Sequence, residues 1–137
     1  MKTYAFRLSP QMDLKKELVR FTKENNIKAG VILSAVGSLS AAKIRLADER
    51  VEAEFDSKFE IVSLTGTLCQ DGVHLHISIS DSKGKVIGGH LLDGCIIYTT
   101  AEMVIGVIEN IVFSREYDCE TGFNELKITS VEAVNEL

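Results

Sequence analysis

The feature that most constrains the fold is the run VHLHISIS at residues 73–80, in which apolar and polar residues alternate without exception. A repeat of two residues is that of a β-strand, whose successive side chains point to opposite faces of the sheet. The run therefore predicts a half-buried strand. Its four apolar residues face the core, and His74 and His76 lie together on the opposite face.

Turn signals bound this strand at both ends. The pair Asp71-Gly72, which favours tight hairpin turns, separates it from the apolar run FEIVSLTGTLC at 59–69. The polar segment DSKGK at 81–85 separates it from VIGGHLL, which contains His90. The sequence therefore predicts three successive strands, the last of which brings His90 back beside the strand of His74 and His76.

One helix is predicted near the N-terminus. Leu14, Leu18 and Phe21 recur at the spacing of one helix face, and the pattern extends from residue 14 to residue 26. Ser9-Pro10 predicts the helix entry because proline fits a first turn, and Asp13 adds negative charge where the helix dipole favours it.

Further apolar segments bring the count to about eight strands. They are KTYAFRL, AGVILSAVGSL ending at a turn near Gly37-Ser38, AAKIRLAD, GCIIYTT and MVIGVIENIVF, and FNELKI is a candidate for one more short strand. About eight strands with one amphipathic helix predict an α+β fold with a mostly antiparallel or mixed sheet. Segment 103–113 is apolar apart from Glu109 and Asn110, so it needs cover on both sides, and a homo-oligomer is expected.

Nothing in the composition divides the chain. With one proline and no linker or repeat, residues 1–137 are predicted to form a single domain, with an acidic tail, SVEAVNEL, from about residue 130. No secretory signal or membrane span is predicted, because Arg7 interrupts the N-terminal apolar run and MVIGVI is far shorter than ~20 residues. Three cysteines without a C-x-x-C pair indicate free thiols, so a cytoplasmic location is expected.

The charge pattern argues against direct DNA binding. The net charge is −5, and the densest basic cluster, at residues 15–23, is interrupted by Glu17 and followed by Glu24. That arrangement is typical of a solvated helix face rather than of a stripe that neutralises phosphates. No DNA-binding residues are identified.

All three histidines of the chain lie between residues 74 and 90. His74 and His76 leave their strand about 7 Å apart at Cα, and His90 follows Gly88-Gly89, whose bare backbones permit close approach. Three neutral imidazoles with an open fourth position are typical of catalytic zinc sites. The sequence predicts that His74, His76 and His90 bind one divalent metal, with zinc the best fit and nickel, iron, copper or cobalt also acceptable.

Two alternatives remain open at this point. His74 and His76 can instead be surface residues of a half-buried strand, with His90 unrelated to them. Cys95 lies five residues after His90 and can be a further ligand, or a small apolar residue of the buried run CIIY.

Several motifs resemble the PPC (plants and prokaryotes conserved) domain. They are FEIVSLTGTL, HLHISISDSKGKVIGGHLLDG, TTAE and SREYDCETGFNEL, and together they cover nearly the entire chain. The resemblance implies a compact α+β subunit that assembles into homotrimers. In plants the domain is joined to AT-hooks, which bind the minor groove of AT-rich DNA. This chain has no Arg-Gly-Arg-Pro motif, so the resemblance does not carry direct DNA binding to it.

The H-x-H…Gly-Gly-His arrangement also resembles, more distantly, the zinc site of acetolactate decarboxylases, where three histidines hold a metal that polarises a keto acid. This resemblance implies that the three histidines are ligands. It makes Glu102 the candidate for proton transfer and Arg115 the candidate for anion binding. Glu102 can equally well be an exposed residue at the edge of a strand.

Three functions follow from these observations. The first is a metal-binding homotrimer of unassigned biochemical role, with room for a small-molecule ligand at the metal. The second is a metal-dependent lyase or hydrolase acting on a small carbonyl or carboxylate compound. The third is a DNA-associated regulatory protein that acts through partners.

Overall fold

A computed structural model describes residues 1–48 and 50–132, so most of the predicted acidic tail lies outside the described residues. The described residues contain nine strands and one helix. In chain order these are β1 (Lys2–Leu8), α1 (Leu14–Glu24), β2 (Gly30–Arg45), β3 (Glu52–Phe55), β4 (Phe59–Cys69), β5 (Gly72–Ser80), β6 (Val86–Leu91), β7 (Ile96–Val107), β8 (Ile111–Tyr117) and β9 (Asn124–Ser130).

Seven strands form one sheet, in the order β1-β7-β2-β4-β5-β6 with β3 paired to β2. All the strand pairings are antiparallel, which confirms the predicted α+β class with a mostly antiparallel sheet. The last residues of β2, Ile44 and Arg45, also pair with Leu91 and His90 of β6. This pairing joins the two ends of the run β2-β4-β5-β6, so these four strands form a closed ring.

The helix begins later than the sequence predicted. Asp13 caps it, because its Oδ1 accepts a hydrogen bond from the Lys16 amide at 3.1 Å, whereas Ser9 and Pro10 belong to the connection before it. Leu14 and Leu18 are fully buried against the sheet, where α1 packs on β4 and β5. Within the described residues, no helix has the length and apolar character needed to cross a membrane.

The predicted turn at Gly37-Ser38 is wrong, because residues 30–45 form one continuous strand. Gly37 lies between Ile61 of β4 and Ala101 of β7. A Cβ atom at this position would lie 2.1 Å from the Thr100 carbonyl oxygen. Glycine is therefore required here for the close approach of a neighbouring strand and not for a change of direction.

The apolar segment MVIGVIENIVF is two strands and not one. The chain turns at Asn110, whose φ is 62°, a conformation that asparagine tolerates better than most residues. The residues before this turn continue the strand that begins at Ile96, and those after it form β8. The short strand β3 was not predicted, because its sequence EAEF is half charged.

Strands β8 and β9 form a separate two-stranded sheet, here called the C-terminal hairpin. Phe113 anchors it in a small apolar cluster with Ala29 and Cys69. The Phe113 amide also donates a hydrogen bond to the Lys28 carbonyl oxygen at 2.9 Å. The hairpin is thereby held at the beginning of β2 and the end of β4.

Candidate metal centre

The period-two pattern of β5 places its two histidines as the sequence predicted. Leu75 and Ile77 are buried, and His74 and His76 project from the opposite face. Their ring centroids are 5.0 Å apart. The apolar residues of the strand thus fix the face on which both imidazoles lie.

His90 joins them from the neighbouring strand. It is the direct partner of His76 in the β5–β6 pairing and of Arg45 in the β2–β6 pairing. Added Cβ atoms would lie 2.5 Å from the Ile77 carbonyl oxygen at Gly88, and 2.4 Å from the Arg45 carbonyl oxygen at Gly89. The two glycines therefore allow β6 to approach both neighbours closely enough to bring its histidine to the other two.

The three side chains form a compact group. One ring nitrogen from each of His74, His76 and His90 lies within 4.8 Å of the others. Tetrahedral zinc with Zn–N bonds of about 2.0–2.1 Å requires ligand nitrogens about 3.4 Å apart. Small rotations of the side chains cover this difference, so the geometry fits a single metal ion.

A buried polar atom supports the same fit. The Nδ1 atom of His90 is buried, and no other described residue offers it a hydrogen-bond partner. An orphaned buried nitrogen is costly. A metal ion is one partner that satisfies such an atom, and imidazole nitrogen is among the ligands that zinc prefers.

The surroundings favour neutral imidazoles, the form that binds metals. Burial lowers the pKa of His90 to about 4, and the positive charge of Arg45 acts in the same direction. Burial also lowers the pKa of His74, followed by the charges of His76 and Arg115. Near neutral pH these two rings are therefore ready to coordinate without losing a proton.

An open cleft of about 320 Å³ lies beside the histidines. The sheet contributes His74, His90 and Arg45 to its lining, and the C-terminal hairpin contributes Arg115, Phe123 and Glu125. A second opening beside it is lined by Thr67, His76 and the same Arg115 and Glu125. The cluster is thus accessible to a small molecule from the side covered by the hairpin.

The structure places Arg115 at this cleft, where its side chain donates a hydrogen bond from Nη2 to the Thr67 hydroxyl at 2.9 Å. Its backbone amide donates to Asp71 Oδ2 at 3.0 Å. Glu102 lies elsewhere: it is exposed on β7, opposite Arg7 and Val36, and it lines neither opening. His90 pairs with Arg45 at the end of β2, whereas Glu102 pairs with Val36 in the middle of that strand, so one chain does not bring Glu102 to the cluster.

Cys95 is not part of the cluster. It is fully buried, and its sulfur exchanges hydrogen bonds with the backbone of Lys43, accepting at 3.4 Å and donating at 3.3 Å. Burial raises the pKa of this thiol to about 11. Its interpretation as a small apolar core residue is therefore favoured over that of a ligand.

The positions of Arg45 and Glu125 at the cleft were not predicted from the sequence. Arg45 reaches the cleft because β2 continues to the point where it pairs with β6, and the sequence predicted a break in that strand. Glu125 reaches it because the C-terminal hairpin packs against β4. Neither contact leaves a local signal in the sequence.

Comparison with known proteins identifies a family and a longer relative. A model of the Plants and Prokaryotes Conserved (PCC) domain matches residues 1–109. The chain is also 48% identical over 131 residues to the bifunctional protein GlmU of Synechococcus sp. (strain JA-3-3Ab), a match that covers 96% of this chain and 21% of that protein. The chain therefore spans about a fifth of the length of the curated relatives it matches.

Solved structures share the fold over most of the chain. A hypothetical protein from Salmonella cholerae-suis has a TM-score of 0.91 and 37% identity, with 94% of each chain covered. A candidate DNA-binding protein from Bacteroides thetaiotaomicron has a TM-score of 0.82 and 27% identity, with 91% of each chain covered. A metal-containing protein from Archaeoglobus fulgidus has a TM-score of 0.78 and 27% identity, covering 91% of this chain and 92% of that chain.

A more distant likeness concerns a Staphylococcus aureus protein described as similar to alpha-acetolactate decarboxylase. Its TM-score is 0.53 at 16% identity, and the match covers 80% of this chain and 54% of that chain. At this identity the likeness concerns the fold alone.

Proposed function

Because this chain belongs to the Plants and Prokaryotes Conserved (PCC) domain family, as its motifs predicted, we propose that it binds one divalent metal ion, zinc, through His74, His76 and His90. The observation that carries the proposal is the convergence of one nitrogen from each ring within 4.8 Å. The metal-containing relative from Archaeoglobus fulgidus has the same fold, which favours a metal over a purely structural histidine cluster.

The ligand set favours zinc. Three imidazoles without a thiolate or carboxylate suit zinc. Nickel, copper, iron and cobalt also bind imidazole, but this ligand set is less selective for them. Three protein ligands leave a coordination position that a small molecule can take from the cleft. A bound zinc ion would supply a Lewis acid at that position.

Metal content tests the proposal directly. Purified wild-type protein is expected to contain one zinc ion per chain by mass spectrometry, and the double variant His74→Ala, His76→Ala is expected to contain almost none. Ser78→Ala is the matched control, because Ser78 follows on the same face of β5 and is not a ligand. Equal metal in the double variant and the control would contradict the proposal.

A homotrimer is part of the proposal. Leu33 and Val36 of β2 and Val62 of β4 are 49%, 57% and 55% exposed, although they are large and apolar. Together they are here called the apolar patch. Association with further copies of the chain would cover such a surface, and a closed ring of three is one of the symmetric solutions available.

A metal-dependent lyase or hydrolase is a second candidate function. It is favoured by the cleft, which gives a small carbonyl or carboxylate compound access to the histidines. Glu125, which lines both openings, replaces Glu102 as the carboxylate candidate for proton transfer. Turnover of a 2-keto acid or 2-hydroxy acid that is lost in Glu125→Gln, with zinc content unchanged, would support this candidate.

DNA association through partners is a third candidate, and its support is the candidate DNA-binding relative from Bacteroides thetaiotaomicron. The net charge of −5 opposes direct binding. Fluorescence anisotropy with duplex DNA at low salt decides the matter, because electrostatic binding weakens steeply as salt increases. Steep loss of DNA affinity with salt would support this candidate, and no binding at low salt would dismiss it.

We also propose a cytoplasmic location. All three cysteines are free, and two of them, Cys69 and Cys95, are buried. Free thiols are typical of a reducing compartment.

A further inference from the structure

The C-terminal hairpin forms one wall of the histidine cleft. It contributes Arg115, Phe123 and Glu125, while Arg45 approaches from the sheet beside His90. The family match ends at residue 109, so the histidines lie within the matched region and the hairpin lies beyond it. The wall opposite the histidines is therefore a separate element from the one that holds them.

Both arginines at this cleft keep unused hydrogen-bond donors. Neither forms an ion pair with a carboxylate among residues 1–48 and 50–132. Arg115 uses one donor on Thr67, and a guanidinium has five. Two guanidinium groups that line one small cleft and keep free donors form a site for an oxyanion, which they hold by charge-assisted hydrogen bonds.

The carboxylates of the same cleft are already engaged. Asp71 Oδ2 accepts the backbone amide of Arg115 at 3.0 Å. Glu125 Oε1 accepts the Thr121 hydroxyl at 3.1 Å. These contacts come from neutral donors and hold the hairpin and its turn in place. The oxyanion is therefore placed by the unused donors of the two guanidinium groups and not by a net positive charge of the cleft.

We infer that the cleft binds a small oxyanion, a carboxylate or a phosphate ester, between the guanidinium groups of Arg45 and Arg115, with the remainder of the ligand over the three histidines. The inference rests on the proposed metal site and names the ligand class of that site. Thr67 is a positioning residue, because its hydroxyl holds the Arg115 side chain.

The size and lining of the cleft limit the ligand further. Its volume of about 320 Å³ equals that of roughly ten water molecules, so it has room for a small metabolite. Phe123 is 46% exposed and gives the cleft an apolar wall. A short carbon skeleton that carries one oxyanion satisfies both the arginines and this wall.

The test uses the whole chain loaded with Co²⁺, whose visible absorption reports on its ligands. Oxalate and glycerol phosphate are titrated separately and followed by calorimetry and by the cobalt spectrum. Tighter binding of oxalate indicates a carboxylate ligand, and tighter binding of glycerol phosphate indicates a phosphate ester. We expect millimolar or tighter binding of one of them, weakened about tenfold or more in Arg115→Gln and in Arg45→Gln.

Matched controls remove a positive charge from the same elements outside the cleft. Lys127→Gln lies on the hairpin, where Lys127 pairs with Glu116, and Lys43→Gln lies on β2, where Lys43 pairs with Glu52 and Glu54. Both are expected to bind the oxyanion within about twofold of the wild type, since charges screened by solvent contribute little. Circular dichroism checks that each variant is folded.

The outcomes separate the two proposals. Normal cobalt binding with no oxyanion binding, or with equal binding in the arginine variants and the controls, would overturn the ligand inference alone. Failure to bind cobalt would contradict the metal site. In that case calorimetry would measure oxyanion binding to the metal-free protein. Binding that is weakened in both Arg45→Gln and Arg115→Gln would still support the oxyanion site, and any other result would overturn it.

Discussion

His76 and His90 are direct partners across the β5–β6 pairing, with ring centroids 5.7 Å apart. The proximity of these two rings depends on the backbone as much as on the histidines. β6 reaches this register between β5 and β2 because Gly88 and Gly89 have no side chains to hold the strands apart. The first prediction follows from this close approach.

Gly89→Ala should weaken both the fold and the metal site. The added Cβ would lie 2.4 Å from the Arg45 carbonyl oxygen, so β6 and β2 must separate. Such overpacking costs about 1–3 kcal/mol, and the displacement moves His90 away from the other rings. Urea unfolding and zinc titration measure the two effects. Val86→Ala, at an exposed position of the same strand, should change neither, and a Gly89→Ala protein with wild-type stability and affinity would refute the prediction.

Acid should destabilise the metal-free fold through His90. Its folded-state pKa, about 4, lies below the ordinary value of 6.5, so the unfolded chain binds more protons between these values. Stability is therefore fully present above pH 6.5 and declines as the pH falls through 4. Chemical unfolding in the presence of a chelator, at several pH values, measures the decline. His90→Gln removes the titrating group, so the free energy of unfolding should depend less on pH in this variant. An unchanged pH dependence would show that other groups cause the decline.

The three cysteines should differ in reactivity. Cys69 and Cys95 are buried and Cys119 is exposed, and burial raises the pKa of Cys95 to about 11. Only the exposed thiol is accessible to reagents under native conditions. Iodoacetamide labelling at pH 8 followed by peptide mass spectrometry should modify Cys119 alone, and all three after unfolding. Rapid native labelling of Cys95 would contradict its burial.

The apolar patch should hold the proposed trimer together. Replacing Val36, which is 57% exposed, by glutamate would place a charge inside an interface, and an unpaired buried charge is strongly unfavourable. Light scattering after gel filtration should give three times the chain mass of 15.1 kDa for the wild type and the mass of one chain for Val36→Glu. Val86→Glu, also at an exposed valine, should leave the mass unchanged. Identical masses for all three proteins would exclude the patch as the interface.

The histidine cluster could be predicted from sequence because its determinants are local. Strict alternation in β5 fixes the face of His74 and His76, and a short turn followed by two glycines returns His90 in register. Three of the four family motifs quoted from the sequence lie within the match over residues 1–109, and SREYDCETGFNEL lies beyond it.

The rest of the site depends on contacts that are distant in the chain. Arg45 reaches the cleft only because β2 runs unbroken past Gly37 to β6, and at Gly37 a glycine needed for close packing was interpreted as a turn. Glu125 and Phe123 reach it because Phe113 anchors the hairpin beside Cys69 and Ala29. The periodicity of apolar residues does not predict such docking. It also does not predict that Glu102 lies away from the histidines.

X-ray absorption at the zinc edge tests the metal site most directly. For zinc-loaded wild-type protein, we expect three imidazole nitrogens at about 2.0–2.1 Å and one further light atom. His90→Ala should lose one of these imidazoles. A sulfur shell, or a spectrum that is the same in the wild type and in His90→Ala, would contradict coordination by His74, His76 and His90.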